Sequence, residues 1–142
     1  MILNSTRRLA SLPSAVALSA TGYYATLQRF AESYRKGKDD LPADPATAYQ
    51  WYLVAARAGN RWAMRGLAEM HAKGEGVPQD WARSLAWYVA ASSLHDHESE
   101  REVARYYTHG FGAPKDHRVA IAYYRRLAAC GDETGRVDEQ AG

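Results

Sequence analysis

Four features of this 142-residue chain could carry chemistry by residue type and spacing. The first is "KGEGVPQDWARSLAWY", Lys73 to Tyr88, in which Gly74 and Gly76 precede an apolar helical run, as in loops that cradle phosphate. It lacks both the third glycine of a dinucleotide fingerprint and the Gly-Lys-Ser/Thr that closes a P-loop. The second is "HDHESE", His95 to Glu100, whose imidazoles and carboxylates suit zinc or nickel. A metal-dependent or hydrolytic site would be sought there, near His95 and His97. A structural metal needs about four fixed ligands, and no second ligand cluster accompanies this one, so a polar turn is the competing reading. The third, His71, would need a partner acid or nucleophile to act as a general base. The fourth, Cys130, is the only cysteine, so no intramolecular disulfide can form and a structural thiol is expected. Gly-x-Ser-x-Gly, His-Glu-x-x-His and Cys-x-x-Cys do not occur. The sequence therefore gives no catalytic residue, metal or cofactor, and an enzyme would need a site assembled only in three dimensions.

The Gly-x-Gly pattern is explained further along the chain. "HGFGAPKDHRVAIAYY", His109 to Tyr124, repeats the order of Gly-x-Gly, Pro, Asp and paired aromatics. A shift of 36 residues superposes "WYLVAARAG" (Trp51 to Gly59) on "WYVAASSLH" (Trp87 to His95) and "YYRRLAACG" (Tyr123 to Gly131). Asp44, Asp80 and Asp116 share one repeat position, as do Pro42, Pro78 and Pro114. The first copy has one extra residue in its "GKDDLPAD" loop. The motif thus marks a repeat unit, and a ligand loop becomes the minor reading.

Each copy reads as two helices. Ala48, Trp51, Tyr52, Ala55 and Ala56 follow the i, i+3, i+4, i+7, i+8 pattern of one apolar stripe. Asp44 is placed as N-cap, Pro45 at the first helical position and Gly59 at the end. This is helix B. Ala63, Leu67, Ala68 and His71 mark the preceding helix A, ended by Gly74; its counterparts are Phe30, Ala31 and Tyr34, then Val103, Ala104 and Tyr107. The Trp-Tyr pairs and Trp81 are expected to pack, and His71 to replace a tyrosine with one hydrogen bond. Such hairpins bury both faces only by stacking, so the fold expected is an all-α superhelical solenoid of three helix-hairpin repeats. Their bounds are about 22–59, 60–95 and 96–132, followed by a polar tail at 133–142.

The pattern Ala-x-x-x-Leu-Ala-x-x-His-x-x-Gly-x-Gly-Val-x-x-Asp-x-x-x-Ser-x-x-Trp-Tyr-x-x-Ala, read from Ala63 to Ala91, resembles the Sel-one-like repeat, a relative of the tetratricopeptide repeat. The resemblance covers Gly22 to Asp132. It implies an adaptor or scaffold that holds partner proteins together in signalling, envelope assembly, secretion or protein quality control. Three departures stand out: His71 replaces the usual tyrosine, His95 replaces a terminal glycine, and the paired cysteines of the secreted branch are missing. The resemblance also implies that the A helices line a concave groove. That places Gln28, Glu32, Arg35 and Lys36 there, with Trp62, Arg65, Glu69 and Lys73, and then Glu98, Arg101, Arg105, Thr108 and His109. Bases outnumber the three glutamates in this set, so an acidic protein or peptide partner is expected, with Trp62 as its anchor.

The remaining expectations come from composition and the chain's ends. A formal charge of +2 is too small for a nucleic-acid binder, and the glutamates interrupt any basic stripe. Nothing in the sequence is long and apolar enough for a transmembrane helix. Residues 1–21 contain Arg7, Arg8 and the short apolar run "LASLPSAVALSA", which reads either as a weak secretory leader or as a capping helix from about Ser14 ending near Gly22. A cytoplasmic location is favoured slightly over a periplasmic or secreted one. After the third helix B no apolar period continues. Ile121, Leu127 and Cys130 are therefore expected to be partly bare, and this edge to self-associate or to meet a partner.

Overall fold

The computed structural model describes residues 20–131 except Asp39, without the side chains of Ala20, Thr21, Tyr23 and Tyr24. Six helices account for its regular structure: α1 (Ala20–Lys36), α2 (Pro45–Arg57), α3 (Arg61–Lys73), α4 (Trp81–Ser92), α5 (His97–His109) and α6 (His117–Ala129). They pack as the hairpins α1/α2, α3/α4 and α5/α6, with α2 against α3 and α4 against α5 joining consecutive pairs. The only other pairing among the described residues is an isolated bridge between Lys38 and Leu41, which takes up the extra residue of the first loop. The leader and capping-helix readings fall on residues outside this range, except that Gly22, expected to end such a helix, lies inside α1.

Local chemistry explains each boundary. Asp44, Asp80 and Asp116 are N-caps of the three B helices and accept backbone N–H bonds from Thr47, from Arg83, and from Arg118 and Val119. Asn60 and Asp96 do the same for α3 and α5. Gly74 and Gly110 end α3 and α5 in the left-handed conformation. Each B helix is also tied to its own A helix, because the backbone N–H of Asp44, Asp80 and Asp116 donates to the carbonyls of Tyr34, His71 and Tyr107.

The second glycine of each Gly-x-Gly seats one repeat on the previous one. A Cβ on Gly76 would lie 2.7 Å from the carbonyl carbon of Pro45 and 2.8 Å from the nitrogen of Ala46, at the start of α2. On Gly112 it would lie 2.7 Å from the carbonyl carbon of Trp81, at the start of α4. These glycines permit backbone to touch backbone between repeats, and no phosphate is needed to explain them.

The stripe of α2 is buried as expected: Ala48, Trp51, Tyr52, Ala55 and Ala56 pack with Leu27, Ala31, Ala63, Leu67 and Met70. A second core joins Ala68, Leu85, Tyr88, Val103 and Tyr106. Four expectations need correction. Phe30 is half out of the core, with Leu27 taking the buried place on α1. Tyr124 is exposed although Tyr52 and Tyr88 at its repeat position are buried, because no described helix lies beyond α6. At that edge Ile121 and Cys130 are exposed as expected, but Leu127 is buried against its own hairpin, and the Cys130 thiol is a surface group rather than a packed one.

Candidate partner-binding surface

The charged residues of the A helices divide into those held by neighbours and those left outward. Arg35 at the end of α1 is held most completely. Its Nε and Nη2 donate to the two carboxylate oxygens of Glu75 at 2.9 and 3.1 Å, and its Nη1 donates to Glu69 at 2.9 Å. Only 8% of its side chain is exposed. Burial works against the charge, but the Glu75 and Glu69 hydrogen bonds outweigh it and hold the Arg35 pKa above its usual range. The same bonds hold Glu75 below the usual carboxylate range. Arg35 is therefore a clamp between the first two repeats and not a free groove cation.

Other bases are paired as well. Arg65 reaches Asp96 at 3.5 Å, Arg105 pairs with Glu102 one turn earlier, and the Arg101 guanidinium lies 3.3 Å from Glu98. Lys73 is exposed and 3.9 Å from Glu75. His109 Nδ1 donates to the Arg105 carbonyl at 2.9 Å, and the ring stacks on Phe111. Lys36 and Glu32 face outward. Counting Glu75, Asp96 and Glu102 beside Glu32, Glu69 and Glu98 gives six acids against six bases. The basic excess expected of this surface disappears, because its compensating carboxylates come from loops, caps and helix flanks.

Trp62 is different. It opens α3 with 41% of its surface exposed. The Arg61 guanidinium sits 4.9 Å from its ring centroid and donates to the Leu94 carbonyl at 3.2 Å. Arg61 thus stacks on the indole while being fixed at its other end. The repeat equivalents of Trp62 are Ala25 and Glu98, so only the second repeat presents an aromatic here.

The groups singled out for an enzymatic or metal site take part in structural contacts. Asp96 caps α5, and its Oδ2 accepts from both the backbone and hydroxyl of Ser99. His97 Nδ1 contacts buried Glu100 Oε2 at 3.0 Å, and Arg126 Nη2 approaches Oε1 at 2.9 Å, outside hydrogen-bonding direction. His95 occupies the turn at φ 62°, the left-handed conformation that Gly59 and Gly131 adopt in the other copies. Among the described residues no three His, Cys, Asp or Glu side chains converge as metal ligands. His71 makes its one expected hydrogen bond, between Nε2 and the Tyr49 hydroxyl at 3.0 Å, with the rings edge to face. Its Nδ1 is buried without a properly directed partner. Burial, aided by the Arg83 charge, lowers the His71 pKa; Asp80 and the Pro78 backbone oppose this more weakly. Sequence spacing does not reveal the Arg35 clamp, because Glu75 lies in the next repeat's loop. The Ser84 hydroxyl, bonded to the Ala68 carbonyl and the Tyr106 hydroxyl at 2.7 Å each, was equally hidden.

No helix of the described residues is long and apolar enough to cross a membrane. The Sel1 repeat family model matches residues 29–60, 63–96 and 97–132. Curated protein sequences give no match. Among solved structures, the chain is similar to a Sel1 repeat protein from Oxalobacter formigenes, with 27% identity and a TM-score of 0.76 over 87% of this chain and 51% of that one. It thus spans about half the length of that protein. It is also similar to a protective antigen of uropathogenic Escherichia coli that displays an SLR fold, at 27% identity and TM-score 0.73, covering 82% of this chain and 25% of that one. Cysteine rich protein B of Helicobacter pylori shares the fold at 18% identity and TM-score 0.65, covering 82% and 89%. Sel1 repeats serve in general as protein–protein interaction modules, and with three of them in register this chain belongs to the Sel1 repeat family.

Proposed function

We propose that the chain is an adaptor that holds a partner protein or peptide against its A helices, with Trp62 as the anchor. The observation that carries this reading is the half-exposed indole held in place by Arg61, which is itself bonded to Leu94. A large aromatic immobilised before binding loses little further freedom on contact, and tryptophan is among the residues that dominate interface energy. Arg65, Glu69, Lys73, Lys36, Arg101, Arg105 and His109 supply a mixed-charge border. A preference for acidic partners is not part of this proposal for the A-helix face, since its carboxylates match its bases.

Capture of the partner from the native host, followed by titration with the purified protein, tests the reading. Trp62→Ala is expected to weaken binding about tenfold or more, while leaving the unfolding midpoint close to the parent's. Unchanged affinity would move the binding site elsewhere.

A further inference from the structure

The outer face of α6 differs from the corresponding faces of α2 and α4. Tyr52 is 1% exposed and Tyr88 4%, each covered by the first helix of the following repeat, whereas Tyr124 at the same position is 48% exposed. Leu85 is 6% exposed and its equivalent Ile121 49%. The apolar side chains for receiving another helix are therefore present. Their surroundings are not those of another repeat. Ala46 and Ala82 lie beneath the backbone of Gly76 and Gly112, and Arg118 takes their place on α6. The sequence after Gly131 also abandons the A-helix stripe, with Gly135 at the position of Ala63 and Glu139 at that of Leu67 and Val103.

We propose that this face docks an acidic, amphipathic helix of a partner protein in the place a seventh helix would take. Charge complementarity selects the occupant. Helix α6 contains no acidic residue, and Arg118 and Arg125 stand exposed beside Ile121 and Tyr124. Asp116 is used as the helix cap. A second copy stacked in register is a poor fit. It would bring α1 with Arg29 at the position that Glu102 holds on α5, and would set arginine against arginine. An acidic helix, with a carboxylate where Glu102 stands on α5, meets this requirement. This site is separate from the Trp62 surface and does not depend on it.

The probe is a fluorescein-labelled peptide of residues 96–110, an A helix with three glutamates that already packs on the equivalent face of α4. Titration into the full chain should saturate in the micromolar to millimolar range and weaken with salt. Amide shifts should cluster around Ile121 and Tyr124. Arg118→Glu with Arg125→Glu, both exposed in the parent, should reduce affinity about tenfold, and Ile121→Ser should also weaken it while helicity is unchanged. No binding at millimolar peptide, or affinity indifferent to these variants, overturns the proposal. So does concentration-dependent dimer mass abolished by Ile121→Ser, which would assign the face to a second copy. Flotation with phosphatidylserine vesicles in place of peptide binding would assign it to a membrane. Markedly tighter peptide binding when Asp138 and Glu139 are both changed to Lys would assign it to the chain's own tail.

Discussion

The two junctions between repeats have the same backbone geometry and different side-chain chemistry. Between the first and second repeats, Arg35 bridges Glu69 and Glu75, and His71 meets Tyr49. Between the second and third, the equivalents of Arg35, Glu69 and Glu75 are Ala72, Arg105 and Phe111. There Phe111 stacks on Trp81 at 4.9 Å, and Tyr106 meets Trp81, Tyr88 and Phe111 edge to face. The Ser84 hydroxyl is hydrogen-bonded to the buried Tyr106 hydroxyl of that cluster. Common to both is the glycine contact with the start of the preceding B helix. The register is set by the backbone, and the side chains around it are free to be ionic or aromatic.

The largest expected effect tests what the junctions share. Gly76→Ala and Gly112→Ala each place a Cβ against backbone and at positive φ. The conformational term is about 1–2 kcal/mol and the forced displacement about 1–3 kcal/mol. Chemical denaturation should show similar losses for both, in the range of about 2–5 kcal/mol. A loss at one junction only would break the equivalence.

A smaller effect should separate them. Arg35→Met keeps the aliphatic stem but leaves two partly exposed carboxylates without their cation. A loss of about 1.5–3 kcal/mol is expected in low salt, with the difference from the parent narrowing as salt rises. A variant as stable as the parent would mean that the first junction rests on backbone contact and on the Tyr52 ring seated over Gly66.

The smallest effect is in pH and again belongs to the first junction. The His71 pKa is lowered on folding, so the unfolded chain binds more protons as pH falls below about 6.5. The stability associated with neutral His71 is present above that pH and is lost as pH falls toward the folded-state value. The slope is at most about 1.4 kcal/mol per pH unit. His71→Phe should flatten the unfolding midpoint between pH 7 and the onset of carboxylate protonation. An unchanged slope would place the titrating group elsewhere.

The B helices and their ends were legible in the sequence because local signals agree: a five-residue apolar stripe, an aspartate cap and a repeated period. The Trp51 and Tyr52 placements follow from that stripe alone. Tyr124 occupies the same periodic position but is exposed, since periodicity describes one helix and burial requires a second. The A-helix charges were read less well. Their partners, Glu75, Asp96 and Glu102, lie in a loop, at a cap and on a helix flank, and only the folded chain brings them together. The arginines were therefore visible and their neutralisation was not. Trp62 was identifiable as an unusual aromatic, but its Arg61 brace and the link to Leu94 depend on the turn between α4 and α5.

The glycine contacts also bear on how such arrays change over generations. The atoms nearest a Cβ on Gly76 would be backbone of Pro45 and Ala46, and on Gly112 backbone of Trp81 and Ala82, so a proline and a tryptophan serve equally well at that position. A gene can then duplicate, lose or exchange a 36-residue unit without inventing a new interface, because the incoming unit meets main chain whatever its neighbour's side chains. Arg118 is where that interchangeability ends. A duplicated unit inserted before α5 would inherit a ready seat, and one appended after α6 would first have to replace the arginine.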